Sequence, residues 1–309
     1  MIVVIPVYRR AVLIYNPRAG KVQAAGDTFV PGILEALTRA GHAAKAVATE
    51  GPGTAGSIAQ RALGEGADLI LACGGDGTLN EVAEGMVGSR IPVGMLPGGT
   101  ANVLCCELGL RAGIEEAVAL TGESQPTRIA VGRASTAGAA PRHFLLMAGA
   151  GLDAQIIYHM QGGLKQRWGK LAYWAAGFRQ LTRSLAEFDV EIDGHKARCS
   201  FALASRVRNY GGDLEIASGA SLLEDRFEIV LFEGKWTPRY LKYLAGIASG
   251  RLSGMSGVTV LQATAARFDA ADGSPVYLQV DGELAGRLPA TVEIVSDALT
   301  LLVPPSHER

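Results

Sequence analysis

The chain has 309 residues, 48% hydrophobic and 19% charged, which excludes a disordered chain and provides apolar material for two ordinary domains. Lys plus Arg number 29 against 30 Asp plus Glu, so no global field draws in a polyanion. A nucleic-acid partner is excluded on that ground, and any phosphate binding has to be local. Cys73, Cys105, Cys106 and Cys199 lack C-x-x-C spacing and are too sparse for a disulfide scaffold, which fits a reducing compartment.

The apolar start, MIVVIPVYRR, has no basic residue ahead of it and is interrupted by Pro6, Arg9 and Arg10, unlike a signal peptide. No run reaches the ~18 apolar residues of a spanning helix. The expectation is a cytoplasmic protein that meets a membrane only peripherally, at its inner face. From residue 11 to about 127, short β-branched runs at 11–15, 45–49, 69–73 and 92–95 alternate with helical segments at 29–40, 54–64, 79–86 and 114–120. That alternation predicts a doubly wound α/β domain with a parallel sheet. After residue 128 the texture changes to short strands at 128–132, 144–148, 188–192, 227–232, 258–261 and 277–280, which predicts a mainly antiparallel β domain. Helical patterns at 163–184 and 238–249 interrupt it, and 290–303 offers two more strand-like runs that can pair with either domain.

The sharpest local signal is GGDGTLNE at 74–81, directly after the apolar run 69–73 and opening a helix. Glycines at a strand-to-helix turn permit close approach, and the helix start presents free N–H groups suited to phosphate. Thr78 and Glu81 have the spacing of a capping box. A tight turn before an ordinary capped helix is the bland alternative. Asp76 among the glycines favours a nucleotide, because an acid beside phosphate needs a cation and Mg²⁺ supplies one. LPGGTAN at 96–102 and NPRAG at 16–20 also follow apolar strands, and in an open α/β sheet such loops converge at the carboxyl edge. Gly20-Lys21 lacks the upstream glycine of a Walker A loop. The G-x-G-x-x-A match at 149–154 lies in the β-rich half and reads as chance or as a packing turn.

Together, NPRAG at 16–20, GGDGTLNE at 74–81, LPGGTAN at 96–102 and VDGE at 280–283 resemble the diacylglycerol kinase catalytic family, which includes bacterial lipid kinases and sphingoid-base kinases. GGDGT alone is shared with the NAD kinases and related to the phosphofructokinases. The resemblance implies an α/β ATP-binding domain of that NAD-kinase/phosphofructokinase type at 1–128, to which 290–309 return, and a β-sandwich lipid-acceptor domain at 129–289. It implies an ATP site at Asn16, Pro17, Arg18, Ala19, Gly20, Thr49, Gly74, Gly75, Asp76, Gly77, Thr78, Leu79, Asn80 and Thr100. It also implies catalysis by Asp76, acting on Mg²⁺, by Asp281, completing the metal shell or steering its neighbour, and by Glu283, the base toward a lipid hydroxyl. Without the other motifs, VDGE reads as a hairpin turn.

Two departures from the family pattern stand out. A structural Mg²⁺ implied in the second domain would fall on Ser221, Glu224 and Arg226, but Glu224 replaces an Asp and Asp225 a Gly, which changes both reach and turn geometry. Ala19 replaces a Ser in the first loop and removes a hydroxyl. The segment 164–174, with Lys165, Arg167, Trp168, Lys170 and Trp174, and Arg179 beyond it, reads either as an amphipathic helix packed on the β domain or as a surface for anionic headgroups. The five histidines show no ligand pairing. The expected function is an ATP- and Mg²⁺-dependent lipid kinase. The rivals are an NAD kinase-like phosphotransferase and a catalytically silent nucleotide-binding regulator. The acceptor lipid and the oligomeric state, a homo-oligomer included, are open at this point.

Overall fold

The computed structural model describes residues 6–99, 101–110, 113–152, 154, 185–210, 214–236, 238–270, 275–305 and 307. The chain divides into two compact units, Met1–Ala130 with Ser296–Arg309, and Val131–Val295.

In the first unit the β-branched runs become β1 (Ala11–Tyr15), β2 (Ala44–Ala48), β3 (Leu69–Gly74) and β4 (Val93–Pro97), joined by helices that include α1 (Gly20–Ala25), α2 (Phe29–Arg39), α3 (Ala55–Gly64) and α4 (Asp76–Met86). Two more helices follow, α5 (Val103–Glu107) and α6 (Ile114–Glu123). The sheet order is β2-β1-β3-β4, all parallel, with the end of the last strand, β18 (Ala290–Val303), pairing parallel to β4 through Leu301 and Val93. Every residue of β3 and β4 is buried, as expected for central strands covered on both faces. α2 packs against α6, and α3 against α4. The chain steps outward from β1 to β2 and then back across β1 to β3, so the switch point lies between β1 and β3, where ligands bind in sheets of this kind.

The α3–α4 contact is made by backbone. A Cβ on Gly56 would lie 2.7 Å from the Glu81 carbonyl oxygen, and a Cβ on Gly85 would strike the backbone of Gly56. The capping box expected at Thr78 does not form. α4 begins three residues earlier, with Gly75 at its N-cap, and Thr78 lies inside the helix. The Glu81 carboxylate instead accepts the N–H groups of Gly53 (2.7 Å) and Ala55 (3.0 Å), closing the start of α3.

The second unit is an antiparallel sandwich. It draws on β5 (Gln125–Thr136), β6 (Arg142–Phe144), β7 (Met147–Gly151), β8 (Phe188–Ile192), β9 (His195–Cys199), β10 (Phe201–Ser205), β11 (Asn209–Tyr210), β12 (Leu214–Glu215) and β13 (Phe227–Phe232). Helix α7 (Pro238–Ala248) precedes β14 (Val258–Ala263), β15 (Ala265–Ala270), β16 (Tyr277–Val280) and β17 (Glu283–Arg287). One sheet runs β14-β13-β10-β7-β16-β17; facing it, the start of β18 pairs with β15, which continues to β8 and β9. The core between them is apolar from both sides, with Ala148, Ala150 and Ile229 of one sheet against Val190, Phe268 and Val292 of the other. Phe144 stacks on Phe227 at 5.7 Å, and Phe188 meets Phe268 edge-on at 6.3 Å. The strand expected at 144–148 is two strands, β6 and β7, interrupted at Leu145 and Leu146. The helical pattern expected at 163–184 lies outside the described residues.

Candidate active site

Three loops meet at the carboxyl edge of the first unit's sheet. Strand register brings the ends of β1, β3 and β4 level, pairing Tyr15 with Cys73 and Gly74 with Pro97. Beyond the strands the loops are tied by backbone bonds: Asn16 N–H to the Cys73 carbonyl (2.9 Å), Gly98 N–H to the Gly74 carbonyl (3.1 Å) and Lys21 N–H to the Gly98 carbonyl (3.0 Å). The glycines are required by this closeness. A Cβ on Gly98 would lie 2.9 Å from the Gly74 nitrogen, and one on Gly99 would lie 2.5 Å from the Gly75 Cα. Asn102 adopts the left-handed conformation (φ 47°) and locks the third loop by bonding the Gly99 N–H (3.1 Å) and carbonyl (2.8 Å) with its side chain. Asn102 closes the LPGGTAN motif, and its bonds to Gly99 give that amide a role in holding the loop. Thr100 lies outside the described residues.

The other expected nucleotide residues fall around this junction. Asn16 accepts the Arg18 N–H through Oδ1 (2.9 Å), and its Nδ2 faces Thr78 Oγ1 at 3.4 Å. Pro17, Arg18 and Gly20 are exposed, Ala19 is buried, and Thr49 follows β2 with its N–H on the Tyr15 carbonyl. Gly74, Gly75, Asp76, Gly77 and Thr78 form the turn into α4, whose first-turn N–H groups have no acceptor within the helix. The side chains of Thr78, Leu79 and Asn80 are buried, and the Leu79 N–H already bonds the Gly75 carbonyl (3.2 Å).

Asp76 is half-buried at the first position of α4. Burial lifts its carboxyl above the ordinary carboxylate range, while neighbouring N–H groups of Val103 and Leu104 pull the other way. Lys21, exposed at the start of α1, is close enough for its charge to act on the thiols of Cys73 and Cys105 beneath the loops. Burial nevertheless pushes the Cys73 thiol up to about 12, so it is no nucleophile at neutral pH.

In the second unit Asp281-Gly282 is the two-residue turn of the β16–β17 hairpin. Both residues have positive φ (46° and 83°), the geometry for which Asp-Gly is suited. The hairpin reading of this segment holds. The Asp281 carboxylate accepts three backbone N–H groups, from Leu145 (2.8 Å), Leu146 (3.0 Å) and Met147 (2.9 Å), which explains the break between β6 and β7. The half-exposed Glu283 carboxylate sits 2.9 Å from the Arg142 guanidinium. Arg142 was invisible as a site residue because its partner lies 141 positions away.

Ser221, Glu224 and Arg226 come together, but as a closed turn. The Glu224 N–H reaches the Ser221 carbonyl (3.3 Å), the Leu223 N–H reaches the Ser221 hydroxyl (3.2 Å), and Arg226 pairs with the Glu224 carboxylate at 2.6 Å. Arg206, fully buried after β10, donates to the carbonyls of Leu222 (2.6 Å) and Glu224 (3.2 Å). Burial pulls its pKa down to about 10, opposed by Asp225 and Asp281, so it stays cationic at neutral pH.

Residues 10–134, which hold all three loops, match the diacylglycerol kinase catalytic domain, and residues 147–303 match the YegS C-terminal NAD kinase beta sandwich-like domain. The chain is 30% identical over 287 residues to a diacylglycerol kinase of Staphylococcus aureus, covering 91% of this chain and 88% of that protein. It belongs to the diacylglycerol kinase family. A diacylglycerol kinase of Staphylococcus haemolyticus is 31% identical over 286 residues, covering 90% of this chain and 83% of that one. The fold agrees with a crystal structure of a diacylglycerol kinase from Bacillus anthracis, at a TM-score of 0.76 and 22% identity over 97% of this chain and 98% of that one. Like its family, the chain is a lipid kinase with an α/β unit and a β-sandwich unit. Among the described residues, no helix is long and apolar enough to cross a membrane.

Proposed function

We propose that this lipid kinase transfers the γ-phosphoryl group of Mg-ATP to the hydroxyl of diacylglycerol or a closely similar lipid alcohol. The observation that carries the reading is the junction of three loops at the carboxyl ends of β1, β3 and β4, locked backbone to backbone with Asp76 at its edge. In this reading Asn16 to Gly20, Thr49, Thr100 and the turn 74–78 hold the nucleotide, largely through main-chain N–H groups. Leu79 and Asn80 brace that turn from inside. Mg²⁺ suits Asp76, an oxygen donor whose charge is penalised by burial and would be offset by a cation. The ion supplies charge neutralisation on the phosphates.

Glu283 is the base, oriented by Arg142. A lipid alcohol holds its proton too tightly to lose it early, so Glu283 takes it late, as the oxygen bonds to phosphorus. Asp281 is the positioning residue: with three amides on its carboxylate, it fixes the turn that carries Glu283 and has little capacity left for a metal. Contact with a membrane surface fits Trp236, 77% exposed beside the exposed Lys235, Arg239 and Lys242, while the segment 164–174 lies outside the described residues.

The test is transfer of labelled γ-phosphate from Mg-ATP to a panel of lipid alcohols in mixed micelles, with NAD as the rival acceptor. Labelled diacylglycerol is expected, with kcat lowered about 10²- to 10⁴-fold in Glu283→Gln and the KM for ATP little changed. Label on NAD, or ATP binding with no labelled product, would overturn the proposal.

A further inference from the structure

We propose that Arg206 is a built-in cation that stands in place of a structural divalent metal in the second unit. The turn at 221–226 directs two carbonyls, those of Leu222 and Glu224, at the two ends of one buried guanidinium, an arrangement that needs either a metal ion or hydrogen-bond donors. The Arg206 guanidinium meets that need from β10, with its two terminal nitrogens at 2.6 and 3.2 Å from those oxygens and no solvent exposure. Its planar fork spans two acceptors at once, which a lysine ammonium on a flexible stem does less well.

The remaining donors that a metal would recruit already have partners. The Ser221 carbonyl and hydroxyl accept the N–H groups of Glu224 and Leu223, and the Glu224 carboxylate is paired with Arg226. A divalent ion needs six or more oxygen ligands at about 2.0–2.6 Å, and a fixed positive charge in the same space would repel it. Among the described residues no cluster of three or more His, Cys, Asp or Glu side chains could hold a metal. The replacement of the family's Asp-Gly by Glu224-Asp225 fits this exchange. Glu224 turns outward to Arg226, and Asp225 joins Asp281 as a countercharge to the buried guanidinium.

Arg206 also links the turn to the neighbouring backbone. Its own N–H donates to the Leu146 carbonyl at 2.8 Å, in the same stretch whose amides grip Asp281. Residue 206 therefore braces the 221–226 turn through its side chain and the segment that fixes the Asp281-Gly282 hairpin through its main chain.

The experiment uses the full chain without nucleotide and reads metal content by elemental mass spectrometry and Tm in EDTA or in millimolar Mg²⁺. Both readouts are independent of turnover, so failure of the kinase proposal would leave this one standing, and the reverse. Expected are well under one metal ion per chain and a Tm that agrees between the two buffers to about 1 °C. Arg206→Met should lower Tm by about 10 °C or prevent folding, because it leaves two buried carbonyls and two carboxylates without their cation. Arg206→Lys should recover part of that loss. A stoichiometric metal whose removal lowers Tm by several degrees would overturn the inference, as would an Arg206→Met protein that melts like the wild type.

Discussion

Asp76 shows how a single residue sets function against stability. The folded protein binds its carboxyl proton more tightly than the unfolded chain does, since burial raises the pKa. Its contribution to stability is thus present below the ordinary carboxylate value and is lost as pH rises through the raised folded value. At neutral pH the ionised group is a cost. Asp76→Asn should therefore leave the Tm of the nucleotide-free chain unchanged or raise it by about 1–3 °C, while lowering kcat about 100-fold or more. Differential scanning fluorimetry and the transfer assay check the two halves, and a lower Tm would contradict the argument. Asp76 stood out in its glycine motif, whereas Glu283 entered as a candidate base only through the family resemblance. Arg142 and the amides of Leu145, Leu146 and Met147, which orient Glu283 and Asp281, were not legible, because they come from a different strand pair and carry no local signal.

At the scale of elements, placement of the α4 start depends on how closely α3 and α4 approach. Gly85→Ala would push a methyl into the Gly56 backbone, so the helices must separate and carry Asp76 with them. A loss of about 1–3 kcal/mol, or roughly 3–10 °C in Tm, is expected by thermal denaturation, accompanied by weaker ATP binding. Gly64→Ala is the control. It lies in α3 with nothing within 4 Å of the added carbon and should stabilise by about 0.5–1 kcal/mol. Glu81 carries the same lesson: its spacing from Thr78 promised a capping box, but two N–H groups at the start of the neighbouring helix compete for the carboxylate and hold it. α7 and Trp236, two residues before it, offer a separate test. Trp236→Ser combined with Lys242→Ser should reduce co-sedimentation with anionic vesicles about tenfold at low salt, and unchanged sedimentation would remove this surface from the reading.

At the scale of the molecule, the chain passes between its two units along β5 and again along β18, so the final residues complete the first unit's sheet. Leu299, Leu301 and Val303 are fully buried there, and Arg128 bonds Asp297, Ser89 and Thr300. At about 1.5–3 kcal/mol for each large side chain, those three alone approach the whole stability of an ordinary domain. A chain ending at Val295 should therefore fail to fold its first unit, losing ATP protection in limited proteolysis. The sequence by itself determined the local features: parallel α/β alternation, the antiparallel half, and glycine loops placed directly after apolar strands. Periodicity and glycine geometry act over a few residues and can be read along the chain. Tertiary structure alone decided that β18 divides between two units, that Glu81 caps a different helix, and that Arg206 fills the turn at 221–226. Each of those depends on partners distant in sequence, chosen by competition for buried hydrogen bonds and charge that no local spacing records.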